Sequence, residues 1–111
     1  MSDILDLDTI TMLKDIMEDE FSLLIETFVD DASARIPTLR KSLDIAQMDE
    51  LMRSAHSLKG SSSNLGAIPF SQKCLIVEKC AKEGDMSGLA DVISELEADF
   101  IGLEAALKSH I

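Results

Sequence analysis

One of the chain's two histidines, His56, stands in the stretch Ala55-His56-Ser57-Leu58-Lys59-Gly60-Ser61-Ser62-Ser63-Asn64-Leu65-Gly66-Ala67. A neutral imidazole offers one ring nitrogen as a nucleophile when the other is held as the N–H donor. Lys59 follows one helical turn along, where an ammonium can offset charge on an incoming phosphoryl group. Gly60 is the odd member. A glycine inside a helix costs about 1 kcal/mol relative to alanine, yet the surrounding pattern shows no break there, so the position reads as room left for something that must come close to the histidine. The chemistry that fits this trio is phosphoryl transfer. A bland alternative is an exposed helical histidine with ordinary charged neighbours, and the joint occurrence of lysine and glycine argues against it.

These residues need a helix that turns them outward. At 100° per residue Leu51, Ala55, Leu58, Ser62 and Leu65 share one side, at spacings of 4, 3, 4 and 3, and His56 points away from that stripe. Within roughly 60° of His56 on the same wheel lie Asp49, Met52, Arg53, Lys59, Gly60 and Ser63. Ser63 is therefore a candidate phosphoryl contact, and Met52, Arg53, Gly60 and Ser63 are candidates for touching a docked partner. The helix is expected over about 49–65, with Asp49 as its cap and Gly66 as its terminating glycine, and is about 25 Å long.

A following helix is expected over about 69–83, with Pro69 in its first turn, a stripe of Phe70, Cys74, Val77 and Ala81, and Gly84 at its end. Folding these two helices back on each other about Ala67 matches positions whose numbers sum to about 134, which sets Glu78 level with His56. From there its carboxylate can accept the imidazole N–H and set the tautomer. The competing assignment is a solvated rim carboxylate paired with Lys82 at i+4.

The remaining elements must supply the frame. A short helix over about 8–17 is expected after a lead-in, Met1–Leu7, with Asp8 as N-cap and Ile10, Leu13, Ile16 and Met17 on one side, lying as a lid on the rest. A long helix over about 19–45 carries Phe21, Ile25, Phe28, Ala32, Ile36, Leu39 and Leu43, and Pro37 should bend it without ending it, because the period survives on both sides. Ile45 to Met48 makes the turn into the histidine helix. The last helix, about 86–108 and started by Asp85, carries Leu89, Val92, Leu96, Phe100, Leu103 and Leu107. The expectation is one all-α domain over 1–111, an antiparallel up-down four-helix bundle with an additional short N-terminal helix.

Several function classes fall away. With 10 Lys and Arg against 21 Asp and Glu, the net charge of −11 argues against nucleic acid. Cys74 and Cys80 are six apart, on different sides of one helix, so they read as packing residues in a reducing compartment. No metal site is expected from one clustered histidine and two distant cysteines. No apolar run approaches the roughly 18 residues of a membrane span, and no signal peptide is apparent, so a cytoplasmic location is expected; the chain is also expected to be a monomer. Gly60 to Gly66 lacks the order of a phosphate-binding loop, and His110 has no cluster around it.

The stretch around His56 resembles the histidine phosphotransfer (HPt) domains of bacterial two-component phosphorelays. The family pattern His-x-Leu-Lys-Gly-x-Ser-x-x-x-Gly is met at His56, Leu58, Lys59, Gly60, Ser62 and Gly66, with Ala55, Asn64, Leu65 and Ala67 also fitting, and helix lengths extend the likeness from Leu7 to about Leu107. The resemblance implies that His56 accepts a phosphoryl group from the aspartyl phosphate of a receiver domain, or from a hybrid sensor histidine kinase, and passes it reversibly to a response regulator. It implies Mg²⁺ supplied by the receiver, no cofactor of the chain's own, and no ATP-dependent autokinase activity. HPt domains often carry a polar residue, frequently glutamine, near the place of Glu78; glutamate is a departure. Two rivals stand beside the carrier: a helical adaptor that binds a receiver or kinase without being phosphorylated, and a small hydrolase, for which the sequence lacks a second nucleophile, base or metal set.

Overall fold

Three short connections force the long helices to run antiparallel. A computed structural model describes residues 4–111, and its helices are α1 (Leu7–Met17), α2 (Phe21–Asp44), α3 (Met48–Asn64), α4 (Ile68–Glu83) and α5 (Leu89–Lys108). A single 3₁₀ turn, Glu18–Glu20, joins α1 to α2. In the bundle α2 packs on α3, α3 on α4, α4 on α5, and α5 closes the ring against α2. Among the described residues there is no strand. Two polar ties mark the antiparallel sense of α5. Arg40, near the end of α2, reaches Glu97 Oε1 at 2.9 Å and Ser94 Oγ at 2.8 Å in the first half of α5, while Lys73 near the start of α4 meets Glu95 and Asp99 further along it.

The core is made by the stripes that the 3.6-residue period demands. Every expected core position of α2, α3 and α4 is buried, from Phe21 to Leu43, Leu51 to Leu65 and Phe70 to Ala81. Pro37 lies on the exposed side of an unbroken α2. Cys74 is one of the core residues, and burial pushes its thiol up to about 12, so it serves as a small apolar side chain.

Several boundaries differ from expectation. Asp6, not Asp8, caps α1: its Oδ1 accepts the Asp8 N–H at 3.2 Å and its Oδ2 accepts the Thr9 hydroxyl at 2.9 Å, so the helix starts inside the expected lead-in. Residues 1–3 of that lead-in lie outside the described residues. Ile16 is 70% exposed, and of the expected α1 face only Ile10 is fully buried, with Leu13 and Met17 partly covered. Helix α3 begins one residue early after Gln47, without a side-chain cap; Asp49 sits in its first turn, where a carboxylate complements the helix dipole. Asp85 does not start α5. Its Oδ1 accepts the Ser87 N–H at 3.0 Å and the Ser87 hydroxyl at 2.6 Å, and Gly88, at φ +81°, leads into the helix. In α5 the fully buried member is Ile93, with Val92 only half-buried, which restores a spacing of 4, 3, 4, 3, 4 from Leu89 to Leu107.

Helix α1 closes the end of the bundle where α3 turns into α4. The Asp6 N–H donates to the Gly66 carbonyl at 2.8 Å, and Lys14 lies over the Phe21 ring at 5.9 Å from its centre. Gly66 has φ +78°, and a Cβ there would meet Thr9 Cβ at 3.0 Å and the Asp6 carbonyl oxygen at 3.2 Å. Only glycine satisfies both the left-handed backbone and the close passage of α1.

Candidate functional site

Burial of one face of α3 dictates where His56 points. Leu51, Ala55 and Leu58 are all 0% exposed. Rolling the helix to cover the imidazole would return at least two leucines to water, a loss of roughly 2 kcal/mol each, so the azimuth is set by the core. The His56 side chain is left 66% exposed.

Helix α4 supplies the partner. Glu78 Oε2 lies 2.7 Å from His56 Nδ1, and Glu78 Oε1 lies 2.7 Å from Lys59 Nζ. Thus one carboxylate, 18% exposed, holds both groups of α3 that sequence spacing singled out. The rim alternative, a pair with Lys82, is not what forms; the described ion pairs of Glu78 are with His56 and Lys59. Oε1 is buried, and the Lys59 ammonium 2.7 Å away is the charge that compensates it. The Lys59 ammonium foremost, and His56 after it, hold the Glu78 carboxyl below the usual carboxylate range against the opposing effect of burial. An ionised carboxylate only accepts, so in a neutral His56 imidazole Nδ1 is the nitrogen that carries the proton, and Nε2 is then the one with the lone pair.

Lys59, the expected phosphoryl-charge partner, is held at rest: its side chain is 28% exposed and turned toward Glu78. Gly60 lies beside it on the exposed surface, and a Cβ built there meets nothing within 4 Å. The chain itself gives no reason for a glycine at that point. Met52 is half-buried against the core, one turn before His56. Arg53 is engaged by Glu50 at 3.4 Å, an exposed pair that holds it only weakly. Ser63 is exposed on the same azimuth as His56 but seven residues on, about 10 Å along the axis. That distance suits contact with a docked partner better than contact with a group on the imidazole.

Sequence reasoning missed Ser71. Its hydroxyl, in the first turn of α4, donates to the Lys59 carbonyl at 3.0 Å and pins α4 to α3 beside the histidine. The antiparallel register held only part of the signal: Ser71 and Lys59 sum to 130 against 134 for His56 and Glu78, so the hydroxyl reaches a carbonyl about one turn off level. Ser62, fully buried, returns its hydroxyl to the Leu58 carbonyl at 2.6 Å, which lets α3 carry a small polar residue into the interface. Among the described residues no three His, Cys, Asp or Glu side chains converge to hold a metal ion, and no helix is long and apolar enough to cross a membrane.

Comparisons with known proteins place this architecture. The chain is similar to the crystal structure of histidine-containing phosphotransfer protein B from Pseudomonas aeruginosa PAO1, with a TM-score of 0.94, 31% identity, and coverage of 98% of this chain and 95% of that one. A rice structure described as a putative histidine-containing phosphotransfer protein superimposes with a TM-score of 0.84 over 96% of this chain and 80% of that one; at 21% identity it speaks for the fold alone. Histidine-containing phosphotransfer protein 2 of Arabidopsis thaliana is 25% identical over 108 residues, which span 91% of this chain and 69% of that protein. The Hpt domain family model matches residues 23–106, from early α2 to late α5, and the chain belongs to the Hpt domain family.

Proposed function

We propose that the protein is a phosphorelay carrier in which His56 takes a phosphoryl group from the aspartyl phosphate of a receiver domain, or from a hybrid sensor histidine kinase, and gives it reversibly to the aspartate of a response regulator. The observation that carries the reading is the 2.7 Å contact of Glu78 Oε2 with Nδ1 of an imidazole that is otherwise two-thirds exposed. With its proton fixed on Nδ1, the ring presents Nε2 to solvent as the nucleophile.

Nε2 attacks the phosphorus in line, the P–O bond to the donor aspartate breaks, and the electron pair returns to that carboxylate. Gly60 lets the receiver's backbone approach, with Met52, Arg53 and Ser63 around the contact. Lys59 swings from Glu78 toward the phosphoryl oxygens as their charge arrives, a movement its partly exposed side chain permits. Mg²⁺ belongs to the receiver in this scheme. Among the described residues the carboxylate in contact with His56 is Glu78, already held by an imidazole and an ammonium, and that set does not suit a divalent cation. Free Cys74 and Cys80 suit a reducing cytoplasm, and the carrier is read as a monomer.

The test is to mix the protein with a receiver domain labelled on its aspartate. Acid-labile label should move to the wild type and not to His56→Gln, and should return to a second, unlabelled receiver. Binding of the receiver without label on the wild type would make the protein an adaptor instead.

A further inference from the structure

We infer that Glu78 sets the lability of the phosphohistidine by keeping the proton on Nδ1 after phosphorylation, so that the ring always departs as neutral imidazole. This inference rests on the carrier reading of His56 and adds a positioning residue to it.

The argument follows the charges. When Nε2 forms its bond to phosphorus while Nδ1 keeps its hydrogen, the ring becomes an imidazolium. When the phosphoryl group leaves, the P–N bond electrons return to Nε2 and the neutral Nδ1–H tautomer is restored, with no proton gained or lost over the cycle. If the Nδ1 proton were lost in between, the leaving group would be an imidazolate anion, and the P–N bond would become resistant to transfer. The carboxylate 2.7 Å from Nδ1 opposes that loss. A glutamine accepts the same hydrogen bond but brings no negative charge, so for the Nδ1 proton the choice of glutamate tells most once the ring is positive. Lys59 shares the carboxylate through Oε1 at 2.7 Å and draws in the opposite direction.

Other charges facing His56 are few. Helix α4 presents Glu78; on α3, Asp49, Arg53 and Lys59 share the helix face of His56, with Arg53 engaged by Glu50. Helix α2 meets α3 round the other side, where Asp31, Arg35 and Thr38 border Glu50 and Ser54. An opposite charge at hydrogen-bond distance moves such an equilibrium by about 1–3 pH units, so the effect of Glu78 should exceed that of the exposed, paired Arg53.

The test uses the whole chain phosphorylated with phosphoramidate, a small donor that needs no partner protein, and follows loss of the phosphohistidine ³¹P signal against pH. Wild-type phosphohistidine should stay labile to a higher pH than that of Glu78→Gln, with the profile of the variant displaced downward by about one unit or more. Lys59→Met, which removes the competitor for the carboxylate, should displace it upward. Coincident profiles for wild type and Glu78→Gln, or an upward displacement in Glu78→Gln, overturn the inference while leaving His56 as the carrier. Absence of a phosphohistidine signal from the wild type overturns the carrier reading itself. Circular dichroism of each variant at each pH confines the comparison to folded protein.

Discussion

Glu78 and His56, 22 residues apart in sequence, meet at 2.7 Å because α3 and α4 are joined by a turn too short to allow anything but an antiparallel return. The Glu78 carboxyl sits below its ordinary value of 4.5 in the folded chain, held there by Lys59 first and then by His56. A depressed carboxylate stabilises the fold above its unfolded pKa, and that contribution disappears as the pH falls through the folded value. The wild type should therefore be more stable than Glu78→Gln at pH 7, and the gap should close as the pH drops below about 4.5. Denaturant midpoints of both proteins between pH 7 and 3 check this; a gap that widens toward acid would contradict it.

Lys59→Ala should slow transfer from a receiver at least about tenfold, because one charge-stabilising donor is lost from the transition state. Its effect on stability should stay below about 1 kcal/mol, since the pair it breaks is partly exposed and Glu78 keeps His56. Quenched-flow transfer rates beside a denaturant titration separate the two. An unchanged rate would remove Lys59 from the chemistry.

Gly60 should behave as a position kept for a partner. Open space surrounds its missing Cβ, so Gly60→Ala should stabilise the isolated protein by about 1 kcal/mol. Gly60→Gln should leave the fold intact and weaken receiver binding by tenfold or more. Calorimetric titration with a receiver domain gives the answer, and undiminished affinity for Gly60→Gln would refute the need for close approach.

Gly66 is different in kind. With φ at +78° and the Thr9 Cβ 3.0 Å from any added methyl, Gly66→Ala should destabilise the protein by roughly 1–3 kcal/mol. Loss of the Asp6 tie should also speed hydrogen exchange of α1 amides relative to α2. Wild-type stability in this variant would show that α1 is not held there.

How far the sequence reached depends on which force placed each element. The stripes of α2, α3 and α4 were legible because burial is periodic and the hydrophobic residues carry it; the same period, folded about Ala67, set Glu78 level with His56 but left a pair with Lys82 open, and the contact across the interface decides for His56. The α1 cap was not, since Asp6 and Asp8 are chemically alike and the choice is made by a tertiary bond from Asp6 to Gly66. Asp85 misled for a related reason: its side chain closes a turn with Ser87, leaving Gly88 to enter α5. Ile93 and Val92 are adjacent and equally apolar, and only the packing of α5 decides between them. The resting engagement of Lys59 was hidden because the wheel shows which face a side chain leaves from, not which neighbour across the interface claims it.

The central claim is that Nε2 of His56 receives the phosphoryl group while Nδ1 stays protonated against Glu78. The most direct measurement is the ¹⁵N and ³¹P spectrum of the ¹⁵N-histidine-labelled protein after phosphorylation by a receiver domain. The account predicts one phosphorylated histidine, with phosphorus coupled to Nε2 and hydrogen on Nδ1. Phosphorus bonded to Nδ1, or to no nitrogen of His56, would contradict it.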